Sequence, residues 1–530
     1  MALVENVQVP AEAVAHGDSD VNASIPNTIA KFGTGSSALS EAVADSVSTG
    51  APVAVIGDNA LATTVNIPAG VSVQGPGKII SSSSTAGLTL DSNTRVSGLS
   101  VVNLAVARAL LSNQNTSNIA LSDITALGAV TSAGAPGYAV SLFRNTDSSI
   151  HGLRASTYTG GVELTETSRV SLSNLYLSDM KYHAALVAGG YGVLLQGAKG
   201  TTIRDMYFRS GNELSADGYT GRHGLYVSVF GTTQCEDTLV SDCVFDYSAK
   251  TTQPAGAINI RANNRAVYSN LSIVGTGITG NTADGNITGQ LLRDSTVFQR
   301  KYANGGNIYA VSWGGTQGAN VASNCSIEGC NITCAPLNGT IESTGCIGIE
   351  TTGNRHRVVD TFIDVPEAST PVIVRPNSFN LVYSGLTDPK TAGTAPFFLF
   401  EGPVSNVTVS GIKTARPLFS GLSGVTDLTV DFPRMCTAGS AGSILDVHSL
   451  ISSVSFSGVH LQIQFLGHVT QAAIDNAVAT LYFDGTNRPH APVIVQRTGK
   501  AILVRFYDTV TGTVVNASTT TCSCVITLNS

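Results

Sequence analysis

Arg222, His223 and Tyr226 stand close together in the run Gly221-Arg222-His223-Gly224-Leu225-Tyr226, and between them they carry the groups that β-elimination on a uronate requires. That reaction needs a base to take the proton beside a carboxylate and a cation to neutralise the charge that builds there. Tyr226 or His223 would be the base, with Arg222 or Arg261 as the cation. Hydrolysis is the other chemistry on offer, and it needs two carboxyl groups roughly 5 to 10 Å apart across the scissile bond. Glu163 with Glu213 or Asp217 would supply them. His223 shares the parity of Leu225, which leaves a partly buried structural role open to it beside the catalytic one.

These residues fall on a strand that recurs with alternating apolar positions: Val140/Leu142, Val162/Leu164, Val193/Leu195, Leu225/Val227, Ile258/Ile260, Ile347/Ile349 and Val372/Val374. If those residues point inward, their neighbours Glu163, Gln196, Tyr226, Asn259, Arg261 and Tyr309 point outward and form a floor. Tyrosines, amides and guanidinium groups on one face suit a sugar chain, which needs flat surfaces to stack on and partners for its hydroxyls. His183 and Lys199 are further substrate-binding candidates. The stretches Ser178 to Tyr191, Arg209 to Gly221, Asp246 to Gly256 and Gly275 to Gly306 precede the recurring strand and read as loops walling a groove.

A second repeated segment, apolar at both ends, appears as Val96 to Val101, Ile119 to Ile124, Val170 to Leu175, Val267 to Ile273, Val407 to Ile412 and Val454 to Val459. Near its fifth position stand Asp123, Asn174, Asp205, Asp242, Asn270, Asp360, Gly385, Gly411 and Gly458. Asn, Asp and Gly tolerate a left-handed backbone, so this column is a bend in a coil, and Asp205 and Asp242 are set aside as catalytic groups. Two alternating strand types at this spacing predict an all-β chain wound as a right-handed parallel β-helix. Composition agrees: 55 glycines and only 12% charged residues are turn-rich and strand-rich.

Both ends of the coil stack need covers. Ser37 to Val47 reads as a capping helix with Leu39, Val43 and Val47 on one face, followed by a strand and turn over Val65 to Val71. The repeat is expected to run to about residue 465, after which Ala491 to Arg497, Ala501 to Phe506 and Val510 to Val515 read as hairpin strands of a C-terminal β domain. The expected organisation is thus 1–31 as an attachment segment, 32–85 as cap and first coil, 86–465 as β-helix and 466–530 as the terminal domain. A net charge of −7 with no basic stripe excludes nucleic acid as partner. No secretion signal and no apolar run able to span a bilayer are expected. Cys325, Cys330, Cys334 and Cys346 lack the spacing of a zinc site and read as buried thiols, and no metal or cofactor is expected.

The run Gly221 to Tyr226 resembles segments of phage polysaccharide depolymerases, and the architecture of cap, β-helix and terminal β domain resembles that of bacteriophage tailspikes. The resemblance implies a virion protein that binds and cuts a bacterial surface polysaccharide, assembles as a homotrimer through its C-terminal domain and docks on the phage tail through its N-terminus. The alternative in the same setting is a receptor-binding fibre that holds the glycan without cutting it. The Arg-His-Gly core also resembles chondroitinase B and related alginate lyases, which implies Arg222 as the acid and Lys199, about one coil earlier, as the base.

Overall fold

The computed structural model describes residues 27–28 and 35–527, apart from 106–107, 130–136, 184–187, 212–221, 303–305, 315–319, 338–342, 392, 432–435, 440–443, 446–450, 458–459, 466–470, 482–489, 509–512 and 516–522. The capping helix α1 spans Ser36–Thr49 and stops at the left-handed Gly50. Its buried face is Ala38, Leu39, Ala42, Val43 and Ser46, whereas Val47 is 59% exposed. The expected row through Val47 fails because a residue eight positions on has rotated about 80° off the stripe.

The described chain forms two compact units, residues 1–189 and 190–530, and each contains a parallel β-solenoid. The recurring strand supplies one sheet in each. In the first unit it appears as β1 (Val65–Ile67), β2 (Ala86–Leu90), β3 (Arg108–Ser112), β4 (Tyr138–Phe143) and β5 (Gly160–Thr165). In the second it appears as β6 (Tyr191–Gln196), β7 (His223–Ser228), β8 (Ile258–Ile260), β9 (Ile278–Gly280), β10 (Ile308–Trp313), β11 (Cys346–Thr351), β12 (Val372–Val374), β13 (Phe398–Phe400) and β14 (Phe419–Ser420). Apolar residues stack in register up each unit: Val65, Leu88, Leu110, Val140 and Val162 in the first. In the second the column runs Val193, Leu225, Ile258, Ile278, Val311, Ile349, Val372, Phe398 and Phe419. All of these are buried.

Gly275 to Gly306 is not the long loop the sequence suggests. It holds β9 and the strands Ile287–Arg293 and Thr296–Lys301, a coil of its own. The segment escapes a search for apolar alternation because β9 is three residues long and ends on Gly280, which leaves one apolar residue to announce it.

The bend column is as expected where it is described: Asp123, Asn174, Asp205, Asp242, Asn270, Asp360, Gly385 and Gly411 all have φ between 48° and 65°. Its main-chain amides bond to the next coil, as in Asn270 N–H to Arg293 O and Asp360 N–H to Ser384 O. In the first coils the left-handed residue divides two short strands, Arg95–Ser97 and Ser100–Asn103, rather than lying in one. Gly458 lies outside the described residues, and Val454 to Val459 is no coil: Ile451–Ser457 pairs antiparallel with His460–Phe465. Parallel pairing in fact ends at Val425–Asp431, well before residue 465. Beyond it lie two antiparallel sheets, one of which contains His490–Thr498, Ala501–Asp508 and Val514–Val515. Val454 to Val459 misled because a hairpin strand alternates with the same period of two as a solenoid strand. Cys325, Cys330, Cys334 and Cys346 are buried free thiols. Of the 1–31 segment only Asn27–Thr28 is described.

Near the last coils a pair of charged side chains is wholly enclosed. Arg416 pairs with Asp388 at 2.5 Å and donates to the carbonyls of Val365, Pro366, Glu367 and Ser369. Arg416→Ala should strand Asp388 without a counter-charge and cost about 3–5 kcal/mol, read as a lowered denaturation midpoint. Asp360→Gly should leave stability within about 1 kcal/mol, while Asp360→Val, with a β-branched side chain at φ 48°, should lose roughly 1–3 kcal/mol in the same measurement.

Candidate functional site

Most floor strands carry a buried small residue just before the inward column: Gly87, Ala109 and Ala139 in the first unit, and Gly192, Gly224, Ala257, Gly277, Ala310 and Gly348 in the second. There is no room for more. A Cβ on Gly224 would lie 2.2 Å from Phe245 and one on Gly348 2.4 Å from Ile363. Because Gly224 faces the interior, the residue before it does not, and the parity inferred for His223 is corrected. The His223 ring lies on the outward side, stacked with Tyr226 at 5.3 Å and with Tyr191 at 5.9 Å.

His223 is nonetheless fully enclosed. Its Nδ1 lies 2.7 Å from Gly256 O and so carries the proton, while its Nε2 accepts from Asn259 Nδ2 at 3.2 Å. Burial pushes its pKa down to about 3, against the Gly256 hydrogen bond and with the charges of Arg222 and Arg261 adding to the fall. A neutral ring with both nitrogens engaged holds Asn259 in place and is a poor base.

Around it the second unit assembles a first polar cluster. Arg261 donates to Tyr226 Oη at 2.7 Å and pairs with Asp284 at 2.7 Å, and Ser228 Oγ donates to the other Asp284 oxygen at 2.5 Å. Burial opposes the Arg261 charge, but Tyr226 and Asp284 outweigh it and its pKa rises. Gln196 sits beside Ser228 in register.

A second cluster lies further up the same sheet, where the outward column runs Tyr226, Asn259, Thr279, Ser312 and Glu350. Glu350 accepts from Ser312 Oγ at 2.6 Å and from Arg375 Nε at 2.5 Å. The same guanidinium bonds Glu401 and the Tyr309 hydroxyl. Burial, and then the Glu350 charge, push the Tyr309 phenol upward. Beside the cluster opens a cleft of about 400 Å³ lined by Gln253, Thr279, Asn281, Asn307, Tyr309 and Glu350 among others.

Of the residues singled out from sequence, the structure therefore brings together His223, Tyr226, Asn259 and Arg261, and Tyr309 joins the second cluster. Arg222 immediately precedes β7 and is half-buried. Lys199 follows the end of β6 and pairs with Glu236 at 3.6 Å. Arg222 and Lys199 thus sit at opposite ends of neighbouring parallel strands, roughly 20 Å apart, and do not form the acid and base of the lyase pattern. Glu163 belongs to the first unit, where Arg108 Nη2 and Ser141 Oγ bond it at 3.0 and 2.7 Å. Glu213 and Asp217 lie outside the described residues, as does the His183 side chain, whose backbone pairs with Ala188.

Sequence reading missed Glu350, Arg375, Glu401 and Asp284. The first two were within reach of the alternation already in use, since Glu350 follows Ile349 and Arg375 follows Val374. Among the described residues no cluster of side chains could hold a metal ion.

The fold has solved counterparts. The Dettilon tailspike protein is 13% identical, with a TM-score of 0.51 over 92% of this chain and 90% of its own. The tailspike of E. coli bacteriophage HK620, solved in complex with a pentasaccharide, is 11% identical, with a TM-score of 0.54 over 97% and 95%. The tailspike of Pseudomonas phage phi297 is 10% identical, with a TM-score of 0.51 over 93% and 92%. No protein-family model and no curated protein matches the sequence. At these identities the likeness is one of fold.

The enclosed, neutral His223 ties stability to pH. An unfolded histidine titrates near 6.5, so between about pH 6.5 and 3 the unfolded chain binds a proton that the folded site refuses. The His223 contribution is complete above pH 6.5 and lost as pH falls, and buried His356 acts in the same direction. Melting temperature should decline from pH 7 to pH 4, and His223→Gln should flatten that decline. An equal slope in both proteins would refute the assignment.

Proposed function

We propose that this chain is a bacteriophage tailspike that binds a bacterial surface polysaccharide along the outward face of β6 to β14 and cuts it by glycosidic hydrolysis. The observation that carries the proposal is the pair Glu350 and Glu401 on one guanidinium beside an open cleft. Two carboxyl groups that share Arg375 are the pair that hydrolysis calls for, which needs them roughly 5–10 Å apart across the scissile bond. Glu350 takes a donor on each oxygen, which suits a base or nucleophile, and Glu401 supplies the second carboxyl group. Tyr309, Asn281 and Gln253 offer a ring face and amides to sugar hydroxyls, and Tyr226, backed by the buried Tyr191, extends the stacking surface. The solenoid shared with the HK620 tailspike and its bound pentasaccharide supports a glycan ligand. Hydrolysis is preferred to β-elimination because His223 is enclosed with both ring nitrogens engaged, and because Lys199 pairs with Glu236 at the far end of the strand from Arg222. Homotrimer formation through the antiparallel C-terminal sheets, and docking on the phage tail through residues 1–31, belong to the same proposal.

The test is a panel of capsular and O-antigen polysaccharides incubated with wild type and with Glu350→Gln. Wild type should release reducing ends without the ultraviolet absorbance of unsaturated uronate. Glu350→Gln should lower the rate by about 10³-fold or more while binding persists. Absorbance would establish a lyase, and binding without cleavage by wild type would leave a receptor-binding fibre.

A further inference from the structure

Both guanidinium groups in these clusters are already committed. Arg375 spends its three nitrogens on Glu350, Glu401 and the Tyr309 hydroxyl. Arg261 spends Nη1 on Tyr226 and Nη2 on Asp284. The carboxylate side chains are shielded as well, at 18% exposure for Asp284, 12% for Glu350 and 33% for Glu401. Arg222, immediately before β7, is engaged too.

An incoming sugar carboxylate would therefore find neither of these guanidinium groups ready to receive it. To win a two-pronged seat on Arg261 or Arg375 it must displace Asp284, Glu350 or Glu401, each of which would be left shielded from water without its counter-charge. Before any ligand arrives, Glu350 and Glu401 face the single guanidinium of Arg375, so that cluster repels further negative charge at short range, while at the first cluster Asp284 already balances Arg261. The remaining cleft groups are neutral: Gln253, Asn281, Asn307, Thr279, Ser312 and Tyr309. Amides and hydroxyls of this kind both donate and accept, which matches sugar hydroxyls and acetamido groups.

Resting on the glycan reading above, we infer that this face takes an uncharged stretch of polysaccharide, and that Asp284 enforces the choice by occupying Arg261. Glu350 and Glu401 do the same at Arg375, but there the exclusion is inseparable from the cutting chemistry. Asp284 is the residue on which specificity can be tested alone.

The experiment measures binding of the full chain to three sets of polysaccharides: neutral repeats, uronate-containing repeats, and the same uronate polymers after chemical reduction of their carboxyl groups. Binding should be confined to neutral or carboxyl-reduced polymers and should change less than twofold between 20 and 300 mM NaCl. Asp284→Asn, which removes the counter-charge that holds Arg261, should gain at least tenfold in affinity for a uronate polymer, and that gain should vanish at high salt. The wild-type comparison stands even if the variant does not fold. Wild-type binding to a uronate polymer that is lost on carboxyl reduction and weakens tenfold with salt would overturn the inference while leaving the glycan reading intact. Binding to no polymer in any set would overturn that reading and the inference with it.

Discussion

In-register stacking of parallel strands is the constraint from which the other features of each unit follow. A strand with the next coil beside it has its amides and carbonyls satisfied only if both keep the same phase, and a slip by one residue would turn every outward side chain inward. Register is held from two sides. Apolar columns such as Leu225, Ile258, Ile278 and Val311 fill the interior, and bends at left-handed residues such as Asp242 and Asn270 return the chain at the same place each time. The column of glycine and alanine at the start of the floor strands is the third element. It lets the chain enter the sheet tight against Phe208 and Phe245, and it releases the preceding residue to the outer face.

That release shapes the candidate site. His223 and Tyr309 occupy equivalent positions two residues before the inward Leu225 and Val311, and strict alternation would bury both. One became an enclosed neutral ring that positions Asn259, and the other reached a guanidinium two coils away. The polar face above them is mutually saturated. Arginines and carboxylates from different coils hold one another in fixed places, so the site is organised before any ligand arrives and spends little on ordering.

Much of the scaffold was legible in the order of residues. Strand alternation, the Asn/Asp/Gly bend column, the helix near Leu39 and Val43 and the hairpins near the C-terminus are local patterns, each set by a period or a backbone preference that neighbours in sequence reveal. Reading failed where a local pattern was too short or ambiguous. β9 offers a single inward apolar side chain, Ile278, and passed for a loop, while Val454 to Val459 alternates like a coil strand but lies in a hairpin.

By itself the sequence determined the class of fold and the outward side chains Tyr226, Asn259 and Arg261, because period and backbone preference are properties of short stretches of chain. Only the tertiary structure decided which polar groups meet. Glu350, Arg375, Glu401 and Tyr309 lie on different coils, and their convergence depends on coil lengths that vary freely with the intervening loops. The same stacking set Arg222 and Lys199 at opposite strand ends despite their inviting spacing. Separation along the chain says nothing of separation in space until each coil's register is fixed by all the others.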